Sequence, residues 1–245
     1  MLVSINGLYG SGGNEMGYAL AEKFGWPVYD GELIERAVAN SGVNLRQATL
    51  AFYDEDGALE SRLRDPYNNA VLSLELDVLP IAREEDAVKQ ENYHSGLLAM
   101  FMDTTSVNNR EGLPAVQKKE DIESLRLAQT RELLKAAESG NGIFFGRCSS
   151  YILRDRRDAL RIFVCAGLDS CVKRVSEKFN LKDRAQAEKL VKETNRRRAY
   201  YYEAFTHQTW DDPENYDFCL NTDYLGFEGS VALIAELLEK KAAML

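Results

Sequence analysis

One stretch near the amino terminus constrains this 245-residue chain more than any other: Gly7-Leu-Tyr-Gly10-Ser11-Gly12-Gly13. It follows a short apolar run, Leu2–Asn6, that reads as a strand, and it precedes Glu15–Phe24, which reads as a helix ended by Gly25-Trp26-Pro27. Glycine lets successive backbone N–H groups converge without Cβ clashes. The helix start behind them adds roughly half a positive charge. Together they form a nest for phosphate oxygens. A flexible glycine turn is the plainer reading, but the position between a first strand and a helix favours phosphate binding.

The spacing Gly7-x-x-x-x-Gly12 is that of a P-loop, which continues with Lys and then Ser or Thr. Here those positions are Gly13 and Asn14. The lysine that reaches the β/γ-phosphates and the hydroxyl that ligates Mg²⁺ are both missing. A nicotinamide dinucleotide is disfavoured, because Gly10-Ser-Gly12 followed by Glu15 does not complete G-x-G-x-x-G. The candidate phosphate ligands are therefore Gly10, Ser11, Gly12, Gly13 and Asn14.

Strand and helix signals alternate along the chain. Val28-Tyr29, Ile143–Phe145, Leu160–Cys165 and Tyr216–Leu220 read as further strands. Glu32–Asn40, Asp169–Lys178 and Asp183–Tyr202 read as helices, and the last helix places Val231, Ile234, Ala235, Leu238 and Ala242 on one face. Near Glu120, Ile122, Leu125, Leu133 and Ala136 share one arc of a helix, with Gln129 in its middle, where bonding to a neighbour is favoured over reaching into a pocket. About five strands separated by helices make one doubly wound α/β domain, a parallel sheet with helices on both faces.

Composition sets the outer limits. Hydrophobic residues are 45% and charged residues 28%, enough for a sizeable core and against a disordered chain. The net charge of −9 argues against a general nucleic-acid coat. No apolar run approaches the ~20 residues of a membrane span. The first residues lack the basic n-region of a signal peptide. A soluble, cytoplasmic protein is expected. Cys148, Cys165, Cys171 and Cys219 form no C-x-x-C pair, which argues against zinc, and Cys165 and Cys219 are expected as small buried hydrophobes. Charge is segregated: Arg147–Arg198 holds 15 basic and 7 acidic residues, whereas Asp54–Glu91 holds 4 basic and 11 acidic. The basic excess raises the case for an anion site, beside the alternative of a solvated helix face.

Four segments occur in a telling order: Tyr9-Gly-Ser-Gly-Gly13; Tyr29-Asp30-Gly31-Glu32-Leu33-Ile34; Gly146-Arg147-Cys148 with Tyr151-Ile152-Leu153; and Tyr216-Asp-Phe-Cys-Leu-Asn-Thr222. They resemble the cytidylate-kinase-like family of P-loop proteins. The resemblance implies a P-loop NTPase-like three-layer fold of the nucleoside monophosphate kinase type over residues 1–245. A helical acceptor-side insertion would occupy about 41–118 and a lid-like segment about 178–212. It also implies ATP with Mg²⁺ as donor, a nucleoside monophosphate, CMP first, as acceptor, and nucleotides as the partners. Arg36 and Arg147 would then bind the acceptor phosphate, Asp30 would stand near the acceptor or metal, and Arg198 would clamp the transferring phosphates. From the residues alone, Asp30 is equally a helix cap and Arg196-Arg197-Arg198 a solvated helix face, and Arg147 has the alternative of a surface ion-pair partner, against which its place directly after a strand at the sheet's ligand edge favours function. The chain departs from the family at Gly7-Leu8 and Asn14, and at Ser150 and Asn195, where acids are usual. A nucleotide- or polyanion-binding module that has lost the chemistry is the competing reading.

Overall fold

The computed structural model describes residues 1–29 and 118–245. Asp30, Arg36, the helix expected at Glu32–Asn40 and nearly all of the expected insertion lie outside them. At the centre runs β1 (Leu2–Gly7), every residue of which is buried, as expected of a strand covered on both faces. It pairs in parallel with β3 (Gly142–Phe145) on one side and β4 (Ala159–Cys165) on the other. Outside these lie β2 (Val28–Tyr29) and β5 (Phe218–Asn221), giving a five-stranded parallel sheet of order β2-β3-β1-β4-β5.

The period-2 alternation of side chains sorts the core into two layers. Val3, Ile5, Ile143, Phe145, Leu160, Ile162, Val164 and Leu220 face one way. They meet Met16 and Leu20 of α1 (Gly13–Phe24) and Ile234, Ala235 and Leu238 of the carboxyl-terminal helix, Thr222–Ala242. Leu2, Phe144 and Ala159 face the other way, against Leu133 and Ala137 of α2 (Lys118–Glu138) and Leu153, just after α3 (Ser149–Ile152). On that same face Phe163 meets Tyr201, Tyr202 and Phe205 of a long helix, Arg184–Thr206, together with Trp210 and Tyr216. In chain order the last three helices are α4 (Leu168–Lys178), α5 (Arg184–Thr206) and α6 (Thr222–Ala242). The chain is thus the three-layer α/β fold that the alternation implied.

Helix boundaries follow local chemistry. Gly25 ends α1 in the left-handed region, φ 65°, and the N–H of Trp26 closes back on Ala21 O at 3.0 Å. The Asp183 carboxylate caps α5 by accepting from the N–H of Ala185. α5 runs four residues beyond the expected end, because Tyr202 and Phe205 continue its buried face.

Some expectations are corrected. Tyr216 is not in the last strand: its N–H bonds to Pro213 O, and its hydroxyl donates to Trp210 O at 2.6 Å. Cys219 is exposed and Cys165 half-buried, because they sit on a short strand and near a strand end. Ala242 is exposed in the last turn of α6.

β4 and the segment entering β5 are joined by a charged clasp. The Asp217 carboxylate accepts from the Arg161 N–H at 2.9 Å, Nε at 3.1 Å and Nη2 at 2.7 Å. Burial pushes this carboxyl up, but the bonds from Arg161 outweigh it and hold it below the ordinary aspartate range. A depressed pKa contributes stability above the unfolded value, lost as pH falls through the folded one. Asp217→Asn should therefore lower stability near pH 7 by about 1–2 kcal/mol, allowing for partial solvent screening. Urea titrations should show parent and variant converging as pH falls below the ordinary aspartate pKa of about 3.9.

Candidate phosphate-binding site

In this strand order β1 leads away toward β2, while its neighbour β4 leads toward β5. The crevice between them at the carboxyl edge is where an open parallel sheet binds ligands. The glycine loop lies there. Its shape is set by where its carbonyls point. Arg198 Nη1 donates to Gly7 O at 3.0 Å, Arg174 Nη1 to Gly10 O at 3.1 Å, and Thr222 Oγ1 to Ser11 O at 2.7 Å. A trans peptide sends its N–H opposite to its C=O. Holding Ser11 O against Thr222 therefore turns the Gly12 N–H away from it, to the start of α1. Leu8 and Ser11 N–H groups are spent within the fold, on Val164 O and Leu8 O, and Tyr9 N–H on Asn195 Oδ1 at 2.7 Å.

Gly12 stands at the N-cap of α1 with φ 89°, and no side chain caps the helix. The first-turn N–H groups of α1 have no intrahelical acceptor. A Cβ built on Gly12 meets no heavy atom of the described residues within 4 Å, so among them this position is open. Gly10 has φ 80° and is confined: a Cβ there would lie 2.6 Å from Cys171 O. The two glycines thus do different work. Gly10→Ala should cost about 2–4 kcal/mol, from left-handed strain plus overpacking. Gly12→Ala should cost only the strain, about 1–2 kcal/mol. Chemical denaturation of both variants measures the contrast.

A second turn adjoins the loop across the sheet, after β3, where Phe145 pairs with Ile5. Gly146, Arg147 and Cys148 all have left-handed backbones, φ 55°, 55° and 57°. For the two non-glycine residues this is strained and persists only where neighbours enforce it. Gly146 N–H donates to Ile5 O at 2.9 Å and Ser149 N–H to Gly146 O at 2.8 Å. The Ser4 and Ser149 hydroxyls, both fully buried, are 2.6 Å apart. Gln129 Nε2 donates to Arg147 O at 2.7 Å. Arg147 itself is buried, 8% exposed. Beside it, burial pushes the Cys148 thiol up against the opposing pull of Arg147 and Arg126. It stays a neutral thiol, unsuited to act as a nucleophile.

Helix α5 covers the glycine loop. Besides its bond to Gly7 O, Arg198 stands over the Tyr9 ring, 5.3 Å from its centroid, and Asn195, one turn earlier, takes the Tyr9 N–H. Arg196 lies over Tyr200, so of these two arginines Arg198 is the one brought to the loop. The expected ligands Gly10–Asn14 and Arg198 are therefore together, with Arg147 at the next strand edge.

Sequence reading missed Arg174, Thr222 and Asn195 as loop supports. Asn195 drew notice only as a missing acid, and Arg174 is one of many arginines in a basic stretch. Much of that stretch is paired: Arg161 with Asp217, Arg174 with Asp223, Lys178 with Glu15, Arg184 with Asp169. The Gly167 N–H and the Arg174 guanidinium hold the Asp223 carboxyl below its ordinary range. Among the described residues no group of three metal-ligating side chains occurs. Among the described residues, Glu15 and Asp223 carry cationic partners, and position 14 offers an amide instead of a hydroxyl. The hydroxyl that a P-loop offers to Mg²⁺ at position 14 is therefore lacking.

The model of the cytidylate kinase-like family matches residues 2–224. The chain belongs to that family. No curated protein matches it. Among solved structures, an uncharacterized protein from Eubacterium ventriosum is similar, with 17% identity, 98% of each chain covered and a TM-score of 0.59, which speaks for the fold. A shikimate kinase from Bacteroides thetaiotaomicron aligns over 98% of each chain with 15% identity and a TM-score of 0.42. Membership of the family supports a nucleotide kinase-like function. Among the described residues no helix is long and apolar enough to cross a membrane.

Proposed function

We propose that this protein binds ATP with its phosphates on Gly10–Asn14 and transfers the γ-phosphoryl group to a nucleoside monophosphate, with CMP as the first acceptor to test. The observation that carries this reading is the glycine loop itself. Its carbonyls are held by Arg174, Arg198 and Thr222, and among the described residues no side chain caps the start of α1, whose first-turn N–H groups would receive the phosphate. Phosphoryl transfer asks for positioning and charge stabilisation above all. The acceptor phosphate is already anionic, so no general base is required. Arg147, buried at the adjoining strand edge, would hold acceptor oxygens. Arg198, resting on the loop from α5, would neutralise the transferring group once phosphate draws it away from Gly7 O. Asp30 and Arg36, outside the described residues, would complete the acceptor side.

A specific feature favours a second reading, nucleotide binding without transfer: Gly13 and Asn14 replace the lysine and hydroxyl that serve the β/γ-phosphates and the metal. Calorimetry of ATP with and without Mg²⁺ separates the two. A kinase should bind the magnesium complex better, whereas a backbone nest alone should gain little from the metal.

Arg147→Lys tests the acceptor role. Lysine keeps the charge but loses the planar fork that grips two phosphate oxygens. Losing one charged hydrogen bond, about 1.5–3 kcal/mol, should lower kcat/KM for CMP roughly ten- to a hundred-fold while ATP affinity stays nearly unchanged. If the parent transfers phosphate to none of the common monophosphates, the kinase reading fails. If it is active and the variant matches it, Arg147 does not contact the acceptor.

A further inference from the structure

We infer that Gln129 is a positioning residue for the Arg147 turn, held in that role by Tyr201 of α5. The inference deepens the proposed function and rests on its reading of Arg147 as an acceptor-phosphate group.

Gln129 stands on the buried face of α2, 2% exposed, beside Glu132, Leu133 and Ala137. An amide there is costly unless both of its ends are bonded. Both are. Nε2 donates to Arg147 O at 2.7 Å, and Oε1 accepts from the Tyr201 hydroxyl. A backbone carbonyl can only accept, so the NH₂ end must face Arg147, and the oxygen is left for Tyr201. The orientation of the amide is thereby fixed.

The bond to Arg147 O falls where the chain most needs it. Arg147 and Cys148 are both non-glycine residues in left-handed conformation. The flanks of the turn are anchored by Gly146 N–H on Ile5 O and by Ser149 on Gly146 O and Ser4. Gln129 supplies the anchor on the carbonyl of Arg147 itself, between those flanks. Letting that peptide rotate would re-aim the guanidinium.

Tyr201 ties this arrangement to the glycine loop. It lies on the helix whose Asn195 and Arg198 bond to Tyr9 and Gly7. One helix therefore holds the loop directly and the Arg147 turn through Gln129. Arg126, three residues before Gln129, stands over the Phe205 ring of α5 at 5.1 Å. This second contact between α2 and α5 survives removal of the Tyr201 hydroxyl.

Two variants of the full chain test the inference. Tyr201→Phe keeps the buried ring and removes only the hydroxyl. Gln129→Glu keeps an acceptor for Tyr201 but sets a carboxylate oxygen against Arg147 O. Without nucleotide, amide hydrogen exchange at residues 146–149 should rise at least about tenfold in both, with β1 amides unchanged. Calorimetry should show CMP affinity falling roughly tenfold while ATP affinity holds within about twofold. Simple loss of global stability would move the β1 amides and ATP binding as well. If Gln129→Glu fails to fold, Tyr201→Phe alone decides both readouts. Unchanged exchange at 146–149 overturns the inference. Faster exchange with unchanged CMP affinity overturns the link to acceptor binding. Faster exchange in the variants of a parent that itself binds no monophosphate overturns that link too, and places the failure in the proposed function, because the hold of Gln129 on the turn has then been demonstrated.

Discussion

Everything at the carboxyl edge of this sheet depends on the direction of a few peptide carbonyls. A glycine loop can collapse on itself and satisfy its own N–H groups, or it can be held open. Here Arg198, Arg174 and Thr222, from α5, α4 and the start of α6, each take one loop carbonyl, at residues 7, 10 and 11. Each tether is a modest hydrogen bond. Together they fix peptide planes that glycine leaves free, which is what the proposed phosphate nest of neutral backbone requires. The arginines at the loop act first as structural donors. Any role for Arg198 with phosphate requires it to exchange a carbonyl oxygen for a phosphate oxygen, a stronger, charge-assisted partner.

The second constraint is the strained turn after β3. Three successive left-handed residues reverse the chain sharply enough to bury Arg147 beside the loop. The strain is countered by polar groups that are costly to bury and bonded nonetheless: Ser4, Ser149 and Gln129. Ser4 is a polar residue within the buried central strand, and Gln129 one on the buried face of α2. Both serve the same turn.

Much of the fold was legible because its signals are periodic. Strand runs, the glycine stops and the single apolar face of α6 located the sheet and its covering helices. Two kinds of feature were not legible. The first is the ends of short elements, as at Tyr216, where tertiary hydrogen bonds drew the residue out of the strand and into an aromatic cluster with Phe163 and Trp210. The second is partnership over long sequence separation. Nothing local in Arg174 or Thr222 announces that they meet Gly10 and Ser11, and Asn195 as a tether for Tyr9 depends on α5 folding back across the loop. The candidate ligands Gly10–Asn14 were readable because glycine spacing is a local signal. The supports that give those residues their shape were not, because they arrive from 150 residues or more downstream in sequence.

The central claim is that the amides at the start of α1 form the phosphate site. Backbone amide chemical shifts recorded during titration of the ¹⁵N-labelled protein with ATP test it most directly. The account predicts the largest shifts at Gly12, Gly13 and Asn14, with smaller ones at Tyr9 as α5 readjusts over the loop. Saturable ATP binding that leaves those amides unmoved and shifts residues elsewhere, such as the exposed Tyr224 and Phe227 of α6, would contradict it.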